Sequence, residues 1–480
     1  METRRRPRVF SVPPGASFLK VLADALLAGY LVTFDRTDPL ALAGVTVLLP
    51  TRRSVRAFSD VLIARLGGEA AILPAIRPIG DVDEDEQLLD PFIGEGEDRL
   101  VLPPAISPLA RRLALTRLTL AWATELRRHP LGLSPDEPLR IPASAADASR
   151  LAADLARLID DVAINQVDWN KLATLVPDDH AEYFQLTLGF LKIVSHAWPQ
   201  YLRDNNRVDP AARRDALIRS AAARMERQGG PIIAAGSTGS IPATAELLRV
   251  IAMMPNGAVV LPGLDAHLDT AGWNAIGSDE GIEAATHGHP QYGLGQLIAK
   301  IGIARDDLAA LGAAPQECVA RAALLSEAMR PAATLDAWAG HRPAPDALAG
   351  LALAVARNEQ EEATTIALAI REAVETPGVT AALVTPDRTL ARRVAVELGR
   401  WGLAIDDSAG ARLDREPHGV FARLVAEAAA SSADPVKLLA LLKHPFAAFG
   451  MAKPVCREAA RHLEVALFRG HRTAGGVGGL

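Results

Sequence analysis

Cysteine is nearly absent: Cys318 and Cys456 are the only two among 480 residues. Two thiols are too few to hold a structural zinc ion or an iron–sulfur cluster by themselves, and their scarcity fits a reducing compartment. No apolar run approaches the roughly 18 residues that read as a membrane helix. The basic start METRRRPR leads into VFSVPPGAS rather than into the apolar core of a secretory signal. A soluble, cytoplasmic chain with no membrane partner is therefore expected. Lysine is also rare, at seven of the 51 basic residues. The arginine excess favours bidentate contacts to phosphate or carboxylate, although a biased genome composition produces the same excess. Catalytic signatures of the G-x-S-x-G and H-E-x-x-H kinds are missing, as is a Cys/His dyad pattern.

What is present describes a globular chain of two or three domains. Hydrophobic residues make up 49% and charged residues 22%, the balance of a folded rather than a disordered protein, and the length exceeds what one core accommodates. The net charge of -6 excludes a uniformly basic nucleic-acid coat and leaves only a local basic groove.

The richest stretch is Pro231 to Asp265, PIIAAGSTGSIPATAELLRVIAMMPNGAVVLPGLD. Ile232 to Ala235 and Ala258 to Leu261 are short apolar runs suited to a parallel sheet covered on both faces. Between them Ala245, Leu247, Leu248, Ile251 and Ala252 recur at helical spacing. The turn Gly236-Ser237-Thr238-Gly239-Ser240 offers hydroxyls and is expected to present backbone N–H groups at a helix N-terminus, which suits an anion.

The same theme opens the chain. Arg8 to Val12 predicts a strand, Pro13-Pro14-Gly15-Ala16-Ser17 a turn, and Phe18 to Leu27 a helix. Val45 to Leu49 predicts a second strand running into Pro50-Thr51-Arg52-Arg53 and a helix through Leu66, and Ile72 to Gly80 a third apolar piece. Strands alternating with helices predict a parallel α/β sheet. From Ile106 to Gln228 the periodicity is helical, with Ser107 before Pro108 as a helix start. HRPAPDALAG (His341 to Gly350) reads as a linker. Beyond it LALAVAR, AALVT and LAID predict the strands of a second α/β unit. The expected organisation is a first α/β domain from 1–105 and 229–340, a helical insertion at 106–228, and a second α/β domain at 341–480.

Three groups of residues invite a functional reading. Pro13 to Ser17 stands where a phosphate loop would, yet it has no lysine, and Lys20 falls too far into the helix; an ordinary βα turn is the plainer reading. Thr51, Arg52, Arg53 and Arg56 stand at the C-terminal end of a strand, the edge where α/β sheets bind ligands, and pair hydroxyl with guanidinium as phosphate contacts do. Thr385 and Arg388 repeat that combination in the second unit. Their plainer reading is a solvated helix face. Arg224 and Arg461 fall on presumed outer helices, away from these edges. Asp81 to Asp90, Asp265 with Asp269, and His287 with His289 lack defined ligand spacing, so no metal site is expected.

The motifs GSTGSIPAT, AVVLPGLD, ALVTPDR, LLPTRR, HPQYGL and LLKHP, taken in order, resemble the AddB family of helicase–nuclease subunits of bacterial double-strand break repair, in its alphaproteobacterial form. The resemblance covers nearly the whole chain and corresponds to the N-terminal half of the family's length. It implies superfamily 1 helicase-like parallel-sheet domains with a large helical insertion, the second domain truncated. It also implies a partner, the AddA motor subunit, and single-stranded or duplex-end DNA as ligand. The family's iron–sulfur cluster and nuclease magnesium belong to segments beyond residue 480, so no cofactor and no catalytic residue are expected in this chain. By resemblance, Pro13 to Ser17 is a degenerate nucleotide loop, and Ala234-Ala235-Gly236-Ser237 replaces the acidic pair that holds a helicase's metal. Without lysine and acids nothing neutralises a transferring phosphoryl group. Thr51, Arg52, Arg53, Arg56, Gly236, Ser237, Thr238, Ser240, Thr385 and Arg388 are the DNA-contact candidates. Two alternatives stay open: a partner-interaction module that does not bind DNA, and a nucleotide-binding enzyme using the GSTGS turn. The latter lacks the ribose-binding acid of a dinucleotide fold.

Overall fold

The computed structural model describes residues 6–38, 40–67, 72–79, 102–128, 144–169, 190–277, 287–410, 412–431 and 434–469. The chain divides into two compact units, Met1–Gly350 and Leu351–Leu480.

The first unit is built on six strands: β1 (Val9–Val12), β2 (Thr46–Leu49), β3 (Ala75–Pro78), β4 (Ile232–Ala235), β5 (Gly257–Pro262) and β6 (Ala309–Ala310). Their order is β3-β2-β4-β5-β1-β6, and every ladder is parallel. Period-two alternation assigns each strand residue to one of two cores. Val9, Leu48, Ile232, Ala234, Val259 and Leu261 face one side; Phe10, Val12, Val47, Leu49, Ile233, Ala235 and Val260 face the other. Helices cover both sides, so β1, β2 and β4 are buried at every residue, as parallel strands require.

The connections follow from local signals. Helix α1 (Phe18–Leu27) turns Leu22, Ala23, Ala25 and Leu26 onto the sheet. Helix α2 (Arg52–Arg65) starts at a capping box in which Thr51 Oγ1 accepts from the Ser54 N–H while Ser54 Oγ accepts from the Thr51 N–H. Between β3 and β4 lie α3 (Pro108–Arg128), α4 (Ala145–Ile164), α5 (Trp198–Asp204) and α6 (Pro210–Gln228). They share a core around Leu115, Leu155, Ile159 and Trp198. The Ser107 hydroxyl accepts from the Ala110 N–H at 3.4 Å, where the sequence predicts the helix start. Arg111 lies at the centre of this bundle. It forks onto Asp160 at 2.8 and 3.0 Å and reaches Asp209 at 3.1 Å, while Trp198 Nε1 donates to the other Asp209 oxygen at 2.9 Å. Arg224 is buried and donates to Ser220 Oγ at 2.9 Å, which corrects its expected place on an outer face. The unit continues with α7 (Pro242–Met253), α8 (Thr270–Gly277), α9 (Tyr292–Ile301, ended by left-handed Gly302) and α10 (Gln316–Ala328).

The second unit departs from expectation. It carries α11 (Glu359–Val374), α12 (Arg388–Gly399), α13 (Pro417–Ala430), α14 (Pro435–Leu442) and α15 (Lys453–Leu463). LALAVAR, AALVT and LAID form no strand, so among the described residues this unit has no sheet. Leu383 and Leu403 pack on the α11–α12 core of Ala363, Ala367, Val394 and Leu398. Leu353 and Val384, in contrast, are 91% and 94% exposed. AALVT and LAID have cover on one side only, LALAVAR is exposed almost throughout, and none has a ladder partner, whereas a parallel strand needs neighbours and cover on both faces. The expected second α/β domain is therefore corrected to a helical unit with unpaired apolar segments.

No helix among the described residues is long and apolar enough to cross a membrane. Cys318 and Cys456 are free thiols.

Candidate functional site at the carboxyl edge of the first sheet

Because every strand of the first unit is parallel, all their C-terminal ends open on one edge. Four turns follow the neighbouring strands β2, β4, β5 and β1: Pro50-Thr51, Gly236 to Ser240, Gly263 to Asp265, and Pro13 to Ser17. The chain leaves β1 toward β2 but leaves β5 toward β6 on the opposite side, which makes this edge a topological switch point, where such sheets hold ligands. The turns meet physically. A methyl group added at Gly236 would lie 3.4 Å from Pro50 Cδ and 3.5 Å from Phe18 Cε1. The Gly236 N–H donates to the Val260 carbonyl at 2.9 Å, and the Gly263 N–H to the Val12 carbonyl at 2.9 Å.

The turn after β1 is short. The Ala16 N–H closes onto the Pro13 carbonyl at 3.2 Å, and Gly15 takes φ +87°, a conformation costly for any residue with a Cβ. A methyl group at Gly15 would stand 2.6 Å from Cys318 Cβ and 2.8 Å from its Sγ, so the start of α10 fills one flank of the turn. Pro14 and Ser17 are exposed, while Pro13 and Ala16 are half-buried. Ser17 is the N-cap of α1 without a side-chain cap bond. Lys20 is exposed at the third residue of α1.

After β2, Arg52, Arg53 and Arg56 are exposed at the start of α2, and the Thr51 hydroxyl is engaged in the capping box. After β4, Ser237 Oγ accepts from the Gly239 N–H at 3.2 Å, while Thr238 and Ser240 are exposed. The expected presentation of helix N–H groups by GSTGS is corrected here. Helix α7 begins only at Pro242, which has no N–H, and the next residues, Ala243 and Thr244, are buried. What remains accessible are the two hydroxyls and two left-handed glycines, Gly236 and Gly239.

Gln291 is the residue that sequence reading missed in role, although its segment HPQYGL stood out. Its Oε1 accepts from the Asp265 N–H at 3.0 Å and its Nε2 donates to the Gly263 carbonyl at 3.1 Å, so one amide fixes the turn after β5. His289 holds Gln291 in turn. Its Nδ1 accepts from the Gln291 N–H at 3.1 Å while Nε2 stands 2.8 Å from the Met329 carbonyl, a pairing that assigns the ring proton to Nε2. Asp265 accepts from the His267 and Leu268 N–H groups. The Gly272 N–H, helped by Arg330, holds the Asp269 carboxyl below its ordinary range. The His287 ring meets Tyr292 at 4.7 Å with the planes tilted by 54°. Among the described residues no three His, Cys, Asp or Glu side chains gather at metal-binding range, and Asp81 to Asp90 lies outside those residues.

In the second unit, Thr385 Oγ1 accepts from the Asp387 N–H at 3.0 Å, and Asp387 caps α12 through the Thr389 N–H at 2.7 Å. Arg388 forks onto Asp407 at 3.0 and 2.6 Å and reaches the Gly410 carbonyl at 3.3 Å. Asp407 holds the guanidinium above its ordinary pKa. A phosphate would have to displace Asp407 to use Arg388.

The sheet order and the switch-point edge define the first unit as an α/β domain of the Rossmann or P-loop-like class. Comparison with protein-family models and with curated proteins gives no match.

Proposed function

We propose that this chain is a DNA-binding, catalytically silent helicase-like part of an AddAB-type helicase–nuclease, acting beside an AddA motor subunit on single-stranded or duplex-end DNA. The observation that carries the reading is the carboxyl edge of the first sheet. Turns from four neighbouring strands converge there, and they bring arginines and hydroxyls but neither a lysine for a nucleotide phosphate nor paired acids for magnesium. Thr238, Ser240, Arg53 and Arg56 are the groups proposed to meet phosphate oxygens, and contacts of that kind position a strand without reading its bases.

The test is fluorescence anisotropy of the full chain with single strands of unrelated sequence across a salt series. The expected result is binding that ignores sequence and weakens with salt. Arg53→Gln with Arg56→Gln lowers the slope of log affinity against log salt by about 0.7 per lost contact. A wild-type chain that binds no single strand at low salt would sink the reading.

A further inference from the structure

The end of the second unit concentrates positive charge that the carboxyl edge does not use. From Pro435 to Arg469 there are six lysines and arginines against two glutamates, a local net of +4 in a chain of -6. Three of the seven lysines of the chain, Lys437, Lys443 and Lys453, fall here. Two of the six cations are already satisfied, because Lys443 and Arg469 both pair with Glu464.

Helix α15 is different. It buries only Cys456 and Ala460, and Lys453, Arg457 and Arg461 are all exposed. Spacing of i, i+4, i+8 sets these three cations on one face, about 6 Å apart along the axis, and among the described residues none pairs with a carboxylate. Several arginines elsewhere in this unit are matched, as Arg393 is by Glu359 and Arg400 by Glu397. The stripe begins beside rings. The Lys453 ammonium stands 5.8 Å from the centre of Phe446, which contacts His418 at 4.6 Å, His444 at 5.4 Å and Phe421 at 6.3 Å. His418 is exposed, and Phe449, three residues before the helix cap, is 56% exposed.

We infer that Lys453, Arg457 and Arg461, with the ring cluster of Phe446 and His418 and the exposed Phe449, form a second surface for single-stranded nucleic acid. A row of unpaired cations next to exposed rings is the combination that binds such strands: charge follows the backbone and rings stack on bases whatever their sequence. An anionic lipid surface fits less well, because an interfacial helix buries an apolar face in the membrane. Cys456 and Ala460 of α15 face the protein, and Val455 is the one large apolar side chain of the helix left exposed. This inference rests on the DNA-binding reading above but assigns the contact to other residues.

The experiment uses the full chain, a fluorescein-labelled oligothymidylate and anisotropy across salt. Lys453→Gln, Arg457→Gln and Arg461→Gln together are expected to lower the salt slope by about 2, the sum of three contacts at about 0.7 each, and to weaken low-salt binding at least tenfold. Arg461→Gln alone lowers the slope by about 0.7. The charge-keeping set Lys453→Arg, Arg457→Lys and Arg461→Lys restores binding, whereas Phe449→Ala weakens it without changing the slope. A triple variant with wild-type slope, when Arg53→Gln with Arg56→Gln still loses binding, overturns this inference and leaves the functional reading intact. A wild-type chain that binds phosphatidylserine vesicles but no oligothymidylate overturns both.

Discussion

VTVLL at Val45–Leu49 and AALVT at Ala381–Thr385 are built to one plan: a short apolar run, a proline turn, then a helix opened by a side-chain cap. The first becomes β2, no more than 7% exposed at any residue. The second is no strand at all, and its Val384 is 94% exposed. Their caps are equally sound, Thr51 with Ser54 in one and Asp387 with Thr389 in the other. What differs is long-range. Strand β2 has β3 on one side and β4 on the other, with a helical layer over each face, while Leu383 rests on α11 and α12 from one side only. Local pattern proposes a strand, and cross-strand partners decide whether it forms.

The largest difference between the two segments is expected in hydrogen exchange. Amides of Ala258 to Leu261 should exchange at least about a thousandfold more slowly than those of Ala381 to Val384, since protection follows burial and ladder bonding. Equal protection would mean that the second unit holds a sheet in solution. Mutation asks the same question energetically. Phe58, fully buried beneath the first sheet, should cost about 3–5 kcal/mol when cut to alanine, whereas Val384→Ala should stay within about 0.5 kcal/mol in denaturant titrations.

The two clamping arginines give a matched pair. Arg111→Met strands Asp160 and buried Asp209 without their cation and should cost about 3–5 kcal/mol. Arg388→Met removes an exposed pair and should scarcely move the transition. Gln291→Ala, which frees the turn after β5, should cost about 1–2 kcal/mol through two lost hydrogen bonds.

The smallest effect is in pH. Burial pushes the Asp209 carboxyl up, against the pull of Arg111, so the native state binds that proton more tightly than the unfolded chain. Its contribution therefore falls as pH rises through its folded-state pKa. Glu327 and Asp269 behave oppositely. Glu327 is held down by its Arg330 bond, and Asp269 by the Gly272 N–H and then Arg330. They lend stability above the ordinary carboxylate pKa that is lost as pH falls below about 4.3. Thermal melts of Asp209→Asn and Arg330→Met between pH 3 and 7 should lose these two slopes separately.

Much of the first unit was legible in residues alone. The helix Phe18–Leu27 and the strand Ile232–Ala235 have the limits that periodicity predicts, because burial on a face imprints period directly. Strand β6, two residues long, leaves no such imprint. At the candidate site, strand ends announced which turns share an edge. Sequence spacing is blind to what those turns touch. Cys318 against Gly15, Gln291 across Gly263 and Asp265, and Asp407 on Arg388 are contacts between residues 19 to 303 positions apart. The GSTGS turn misled for a local reason: Ile241 and Pro242 intervene before the helix, and they hide the amides the turn was expected to present.

The first unit is proposed to keep the frame of a nucleotide-hydrolysing domain without its chemistry. Steady-state ATP hydrolysis by the full chain, with magnesium and with or without single-stranded DNA, tests it most directly. Neither turnover above a protein-free control nor stimulation by DNA is expected. DNA-stimulated hydrolysis that disappears on substituting Ser17→Ala at the β1 turn would contradict it.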